Sequence, residues 1–370
     1  MLLLALIAGL VAAALAWPMG PAPRATIDWQ EHRAGPIDEL SVCWVGHSLI
    51  NARDPDREGA RNLIERVGDL ARARGLRYES FDHTIWGACL SLLWSGSAHL
   101  HGRKLPEMAA QRATLFERTP PFDALVLTEG VPLESAVRFE HSSWYAQQFA
   151  CALRERNPAA RVYVYECWSN LQVGEPGRFY PPASVYDWPA RLQSDRALWE
   201  RLADEAAAGR VPPPGLRGRV ARWLGVDAAP GAGPIFLVPV GSVFRALLSL
   251  PPETRPRFAG RALRAEDLFT NPYVDWPSEW PLREALSPQA ERERLASARL
   301  RHPERAHDDI HPSDLGVFIA SLTHFATLYR RSPEGLPCDV VGLEPSDCEA
   351  LTRQVWEIVR NDPRTGVGAP

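Results

Sequence analysis

Two short segments near opposite ends of the chain carry side chains that could together attack an ester. In the first, an apolar run ends at Gly46-His47-Ser48-Leu49 and presents the hydroxyl of Ser48. In the second, Asp308 precedes His311 by three residues. A serine becomes a nucleophile when a base removes its proton, and a carboxylate can orient that base. The pattern predicts Ser48 as nucleophile, His311 as base and Asp308 as the group that orients His311.

Each of these residues also has an alternative interpretation. Ser48 could cap a helix, and His311 could be a surface histidine near a helix start. Asp309 competes with Asp308, but it lies only two residues before His311, so its side chain should point elsewhere. His307, Asp308, Asp309 and His311 could instead bind zinc or iron. No further cluster of suitable spacing accompanies them, and we expect no metal.

The elements that must position these residues alternate between strands and helices. Apolar runs predict five buried parallel strands, at 40–45, 78–85, 124–128, 162–166 and 235–240. Apolar residues at helical spacing predict helices over 63–71, 144–156, 196–207, 315–325 and 345–359. This alternation predicts an α/β fold, a three-layer α/β/α sandwich whose ligands bind at the carboxyl ends of the strands.

Two stretches interrupt the alternation, and a third precedes it. Irregular insertions are expected at about 169–232, as two short helices in a cap over the sheet, and at about 251–307, with a helix near 289–301. Residues 1–24 read as a signal peptide or N-terminal membrane anchor, because 2–17 are uninterruptedly apolar. Residues 25–370 are then one exported domain, which is periplasmic or secreted, or is anchored to the inner membrane by residues 2–17.

Charge and cysteine content narrow the class further. A formal net charge of -4 and a pI near 6.2 give no indication of a nucleic-acid partner. The six cysteines are compatible with an oxidising compartment, and Cys338 and Cys348 flank a short loop that a disulfide could close. The other four lie in or beside apolar segments and are expected to be small buried residues.

These blocks together resemble the SGNH (GDSL-like) hydrolase superfamily, in a divergent bacterial branch, over roughly residues 38–330. The serine block follows the first strand, Ile85-Trp86-Gly87-Ala88 follows the second, and Asp308 to His311 forms the last block. The resemblance implies a flavodoxin-like fold and a Ser48-His311-Asp308 triad. It also implies an oxyanion hole made of the backbone N–H groups of Ser48 and Gly87, although Gly87 could serve only a turn.

One block departs from the superfamily pattern. Its third block normally reads Gly-x-Asn, and the asparagine amide is a further oxyanion donor. Here Thr128-Glu129-Gly130-Val131-Pro132 places Pro132 where the asparagine would fall. Loss of one such donor typically costs about 3 kcal/mol of transition-state stabilisation. Thr128 or another group could substitute, and Glu129 is expected to face the pocket as a substrate or orienting contact.

Other side chains at the strand ends suggest further roles. Glu129 and Glu166 end the third and fourth strands and could form the carboxylate pair of a glycoside hydrolase, although Glu166 is better interpreted as a structural acceptor. Trp86, Trp94 and Trp168 could stack on sugar rings or simply pack the core. Of the three, Trp86 is the candidate substrate contact.

The sequence therefore predicts a serine esterase that needs no cofactor. Its expected substrate is a small-molecule or glycan ester, first of all an O-acetyl ester on a carbohydrate, by analogy with exported members of the superfamily. An acyltransferase with the same triad remains an alternative, since the acceptor depends on pocket shape. A binding module on a degenerate hydrolase scaffold is another, suggested by the missing asparagine.

Overall fold

The computed structural model describes residues 27–53, 59–95, 99–100, 103–104, 115, 117–171, 188–209, 211, 213–215, 231–269 and 310–368. Three predictions fall outside these residues: the N-terminal leader at 1–24, the helix near 289–301, and the position of Asp308. Within the described part of the chain, no helix is both long enough and apolar enough to cross a membrane.

A five-stranded parallel sheet lies at the centre of the fold. Its strands are β1 (Glu39–Gly46), β2 (Arg77–Thr84), β3 (Ala124–Leu127), β4 (Arg161–Tyr165) and β5 (Ile235–Val238). They lie in the order β2-β1-β3-β4-β5, and each neighbouring pair is parallel. All five predicted strands are present, and this order is the flavodoxin-like arrangement of a doubly wound sheet.

The position of each strand in the sheet explains how regular its apolar pattern is in the sequence. β3 and β5 are buried at every residue, because helices cover both faces of the sheet. β2 is an edge strand that pairs only with β1, and most of its residues are partly or fully exposed. Glu79 and Asp82 interrupt its apolar pattern because they reach solvent there.

Helices pack on both sides of this sheet. They are α1 (Ser48–Asn51), α2 (Leu63–Ala73), α3 (Leu90–Ser95), α4 (Leu133–Phe139), α5 (Ser142–Arg156), α6 (Trp188–Ala208), α7 (Val240–Ser249), α8 (Asp314–Tyr329) and α9 (Pro345–Asn361). In one layer α8 packs between α2 and α9, and in the other α5 packs against α6 and α3. Single 3-10 turns, Ala265–Leu268 and Pro363–Thr365, and two short antiparallel pairs complete the described elements.

Part of the first predicted insertion, at about 169–232, is described, and it contains the predicted helix at 196–207. That helix is α6, which is longer than expected at 21 residues and packs on α5 and α7 as part of the sandwich. Its one proline, Pro189, is in the first turn, where a missing N–H costs no helical hydrogen bond. The ion pairs of Arg196 with Glu166 and Asp362 fasten α6 to the end of β4 and to the C-terminal region.

The structure joins Cys338 and Cys348 in a disulfide, with their Cα atoms 6.3 Å apart. This bond ties the loop before α9 to the first turns of that helix. Cys43, Cys89, Cys151 and Cys167 carry free thiols, of which Cys43 and Cys167 are buried as expected, while Cys89 and Cys151 are only half-buried.

Candidate active site

The hydroxyl of Ser48 meets the imidazole of His311. Oγ of Ser48 lies 2.8 Å from Nε2 of His311, although 263 residues separate them in the sequence. Ser48 is the first residue of α1, directly after β1, and His311 lies just before α8. Ser48 therefore lies at the carboxyl end of a central strand, and the segment that leads into α8 brings His311 to it.

The turn that presents Ser48 is held by its two preceding residues. Gly46 faces Thr128 and Ile50 so closely that a Cβ atom there would collide with both side chains. His47 caps α1: its Nδ1 accepts from Leu49 N–H, and its Nε2–H donates to the Glu129 carbonyl at 2.8 Å. Burial lowers the pKa of His47 to about 4, so the ring is neutral and its tautomer is set by these two bonds.

A separate group of residues positions His311, and sequence reasoning missed it. The indole N–H of Trp168 donates to the Ile310 carbonyl at 2.7 Å. On the other side of the histidine, Ser313 N–H donates to Leu268 O at 2.9 Å and Ser313 Oγ to Asp267 O at 2.6 Å. The first part of the predicted insertion at 251–307 therefore supports the catalytic segment. No local sequence signal pointed to this role.

Ser313 also begins α8, as the sequence predicts. Its Oγ accepts the Gly316 N–H at 3.1 Å, which is a regular N-cap. Gly316 packs directly on the Leu268 carbonyl, and a side chain at this position would collide with it. The cap and the close packing together fix where α8 starts relative to His311.

Trp86 covers the imidazole of His311. Its indole stacks on His311 with ring centroids 5.1 Å apart and ring planes at 30°. The side chain is nevertheless 53% exposed, so a substrate can reach it. Trp94 and Trp168, in contrast, pack against Phe149 and Phe244 in the core.

The backbone around Gly87 is suited to an oxyanion hole. Gly87 has φ +72°, a left-handed conformation that favours glycine. Among the described residues, neither the Gly87 N–H nor the Ser48 N–H donates a hydrogen bond to another group. Gly87 directly follows Trp86, whose ring lies on His311. Both donors are thus available for a ligand oxygen.

Glu129 was expected to face the pocket as a substrate or orienting contact, and the structure buries its side chain instead. Its side chain is completely buried, and its Oε1 accepts from Leu90 N–H at 3.1 Å and Gly130 N–H at 2.7 Å. Burial raises the pKa of Glu129 to about 7. The reason for the inward direction is that a carboxylate at the end of β3 finds two backbone donors beneath the loop that follows Gly87.

Thr128 was the named candidate to replace the missing oxyanion donor, and its hydroxyl is engaged elsewhere. Thr128 is buried, and its hydroxyl donates to Tyr165 O at 3.2 Å. Pro132 lies at the start of α4 and has no N–H.

Glu166 accepts from Arg196 and Ser242, each within 2.9 Å, so it is the structural acceptor that the sequence favoured. Because Glu129 and Glu166 are both buried, they do not form the exposed carboxylate pair that the glycoside hydrolase alternative needs.

Metal chemistry has no ready site in the described part of the molecule. No group of three or more histidine, cysteine, aspartate or glutamate side chains there could hold an ion. His307, Asp308 and Asp309, which the metal alternative needs, lie outside the described residues.

Comparison with known proteins reveals only distant similarity. No family model matches the chain, and no curated protein matches it. Among solved structures, a DUF4886 family protein from Bacteroides uniformis aligns at 14% identity over 88% of this chain and 96% of its own, with a TM-score of 0.45. A candidate SGNH hydrolase from Slackia heliotrinireducens aligns at 15% identity over 78% and 99%, with a TM-score of 0.38. With TM-scores below 0.5, these similarities assign neither a family nor an activity to the chain.

Proposed function

We propose that this protein is a divergent SGNH-type serine hydrolase that cleaves an acyl ester. The observation that carries the proposal is the 2.8 Å contact between Ser48 Oγ and His311 Nε2 at the carboxyl edge of the sheet. An ordinary helix-capping serine would use its hydroxyl to accept a backbone N–H of its own helix. Here His47 is the cap of α1, and the Ser48 hydroxyl is left for the imidazole.

The geometry supports a two-step acyl transfer. Ser48 Oγ attacks the ester carbonyl while its proton passes to His311 Nε2, and the carbonyl oxygen becomes an oxyanion held by the N–H groups of Ser48 and Gly87. The C–O bond of the ester then breaks, and His311 returns the proton to the departing alcohol. In the second step His311 takes a proton from water, whose oxygen attacks the acyl carbon. The bond from Ser48 Oγ to the acyl group then breaks, His311 returns the proton to Ser48 Oγ, and the acid is released. Asp308 is proposed to orient the imidazole through Nδ1.

We further propose an O-acetyl group on a carbohydrate as the substrate. Trp86 supports this choice, because a half-exposed indole beside the catalytic base offers an apolar face on which a sugar ring can stack. Export is part of the same proposal. The disulfide between Cys338 and Cys348 suits an oxidising compartment, as does the apolar leader seen in the sequence.

Labelling by a fluorophosphonate tests the chemistry directly. The wild-type protein should be modified on Ser48, as identified by peptide mass spectrometry, and Ser48→Ala should not be labelled. Ser95→Ala is the matched control, since Ser95 is an exposed serine at the end of α3 and should not affect labelling. A folded wild-type protein that stays unlabelled would reject the hydrolase and favour the binding module.

The substrate class needs its own measurement. Acetate release should be measured from O-acetylated xylan, from an O-acetylated amino-sugar polymer and from p-nitrophenyl acetate, and at least one of the two O-acetylated glycans should be turned over. If p-nitrophenyl acetate alone is turned over, the proposed serine chemistry stands, but the proposal of a carbohydrate substrate is rejected. Product analysis with an added acceptor glycan separates hydrolysis from acyl transfer.

A further inference from the structure

Glu129 connects the two backbone segments that carry the proposed oxyanion donors. Its carboxylate Oε1 accepts from Leu90 N–H at 3.1 Å, and Leu90 begins α3 three residues after Gly87. Its backbone carbonyl accepts from His47 Nε2–H at 2.8 Å, and His47 directly precedes Ser48. One buried residue at the end of β3 therefore holds the nucleophile turn with its main chain and the glycine loop with its side chain.

Few other bonds hold the glycine loop. Between the end of β2 and the start of α3, Ile85 N–H donates to Gly46 O and Ala88 N–H to Ile85 O, both at 3.0 Å, and Cys89 O accepts from Leu92 N–H and Leu93 N–H of α3. None of these backbone bonds joins the segment from Ala88 to Leu90 to the end of β3. The Glu129 carboxylate makes that connection, and it also satisfies the N–H of Gly130 at 2.7 Å.

We infer that Glu129 is a positioning residue that fixes the spacing of the Ser48 and Gly87 N–H donors, in place of a side-chain donor to the oxyanion. This inference rests on the proposed serine hydrolase activity. The superfamily pattern adds a third donor at this block, whereas this chain has Pro132 there. In this chain the third block instead positions two backbone donors. It does so through the side chain of Glu129, which is fully buried and therefore does not contact substrate.

A pair of substitutions at Glu129 separates positioning from simple packing. Glu129→Ala removes the acceptor and should lower kcat for p-nitrophenyl acetate by about tenfold or more, because displaced oxyanion donors cost up to 10²–10³-fold. KM should stay within about threefold, since the ground-state ester makes weaker use of these donors. Glu129→Gln keeps a side-chain oxygen for both N–H groups and should retain at least about a third of kcat. Equal losses in both variants, or near-normal kcat in Glu129→Ala, would overturn the inference.

A second pair tests the same bond from its donor side, and it stands even if Glu129→Ala does not fold. Leu90→Pro deletes the N–H that Glu129 accepts, at the first residue of α3, where proline is tolerated. Leu90→Ala removes the same buried side chain but keeps the N–H. Leu90→Pro should therefore show at least about tenfold lower kcat than Leu90→Ala, and equal values for the two variants contradict the inference.

Hydrogen exchange gives a readout that does not depend on activity. Peptides covering residues 86–93 should exchange faster in Glu129→Ala than in Glu129→Gln, while peptides of β4 stay unchanged. Unchanged exchange at 86–93 rejects the positioning role. Absence of fluorophosphonate labelling in the wild type rejects instead the hydrolase on which that role rests, so the two failures are distinguishable.

Discussion

Trp86 stacks on the imidazole of His311, with ring centroids 5.1 Å apart and ring planes at 30°, while its side chain remains 53% exposed. The residue that follows it is Gly87, so one short loop both covers the imidazole and carries the proposed oxyanion donor. In the proposed mechanism the imidazole carries a positive charge during acyl transfer, and an aromatic face attracts a nearby cation. The stack is therefore expected to favour the transition state as well as to form the wall of the site.

Replacement of Trp86 should weaken catalysis with any acyl ester. Trp86→Leu should lower kcat/KM for p-nitrophenyl acetate about three- to tenfold, since the ring contact contributes about 0.5–1.5 kcal/mol. Trp86→Phe keeps an aromatic face and should stay within about threefold of wild type. The matched control is Phe139→Leu, which alters another exposed aromatic residue and should have no effect. Comparable losses in Phe139→Leu would indicate a general effect of exposed aromatics and not the stack.

Asp308 is expected to matter far more than its neighbour Asp309. Asp308→Asn should lower kcat about 10²- to 10⁴-fold, because an amide favours the wrong tautomer of the base. Asp309→Asn is the matched control, with the same chemical change one residue away, and should stay within about threefold. Steady-state kinetics on both variants decides the assignment. A larger loss in Asp309→Asn would transfer the orienting role to that residue.

His324 should make the stability of the folded protein sensitive to acid, although its ring lies outside the proposed active site. The ring is buried in α8 between Trp44 and Tyr165, and burial lowers its pKa to about 3. Between about pH 6.5 and 3 the unfolded chain binds a proton at His324 that the native protein does not, so this group makes stability fall as the pH falls.

His324→Phe should therefore reduce that loss. Urea unfolding at several pH values would show a flatter decrease in the free energy of unfolding between pH 6.5 and 4 than in the wild type. Esterase activity at pH 7.5 should stay within about twofold, because His324 does not contact the site. An unchanged pH slope in His324→Phe would show that this ring is not the cause of the acid sensitivity.

The disulfide should contribute to stability and not to chemistry. Cys338 and Cys348 close a loop with a sequence separation of 10 residues. In the chain-entropy model such a loop contributes about 2–3 kcal/mol. The double variant Cys338→Ala/Cys348→Ala should lower the free energy of unfolding by that amount and leave kcat at 25 °C unchanged. Cys151→Ala removes a free thiol and serves as control. If the double variant also loses kcat at 25 °C, the position of α9 affects the geometry of the proposed active site.

Local patterns predicted the strands, most of the helices and the residue types at the site. Buried strands appear in the sequence as short apolar runs, and β2 was the least regular because an edge strand exposes charged residues to solvent. At 169–232 the proline and glycine content concealed only the first part of the helix Trp188–Ala208, since its apolar spacing predicted 196–207. Local sequence patterns predict a helix or a strand when the residues of that helix or strand determine its structure by themselves.

The sequence by itself determined that Ser48 follows a strand, that His311 precedes a capped helix, and that Cys338 and Cys348 lie close enough to pair. Those features depend on neighbours within a few residues. Only the tertiary structure decided that Glu129 turns inward to backbone N–H groups and that Trp86 lies on the base. It also decided that Asp267 and Leu268 support the histidine segment. The physical reason is that a side chain at the end of a strand takes the direction in which its polar atoms find partners, and those partners come from elements distant in the chain.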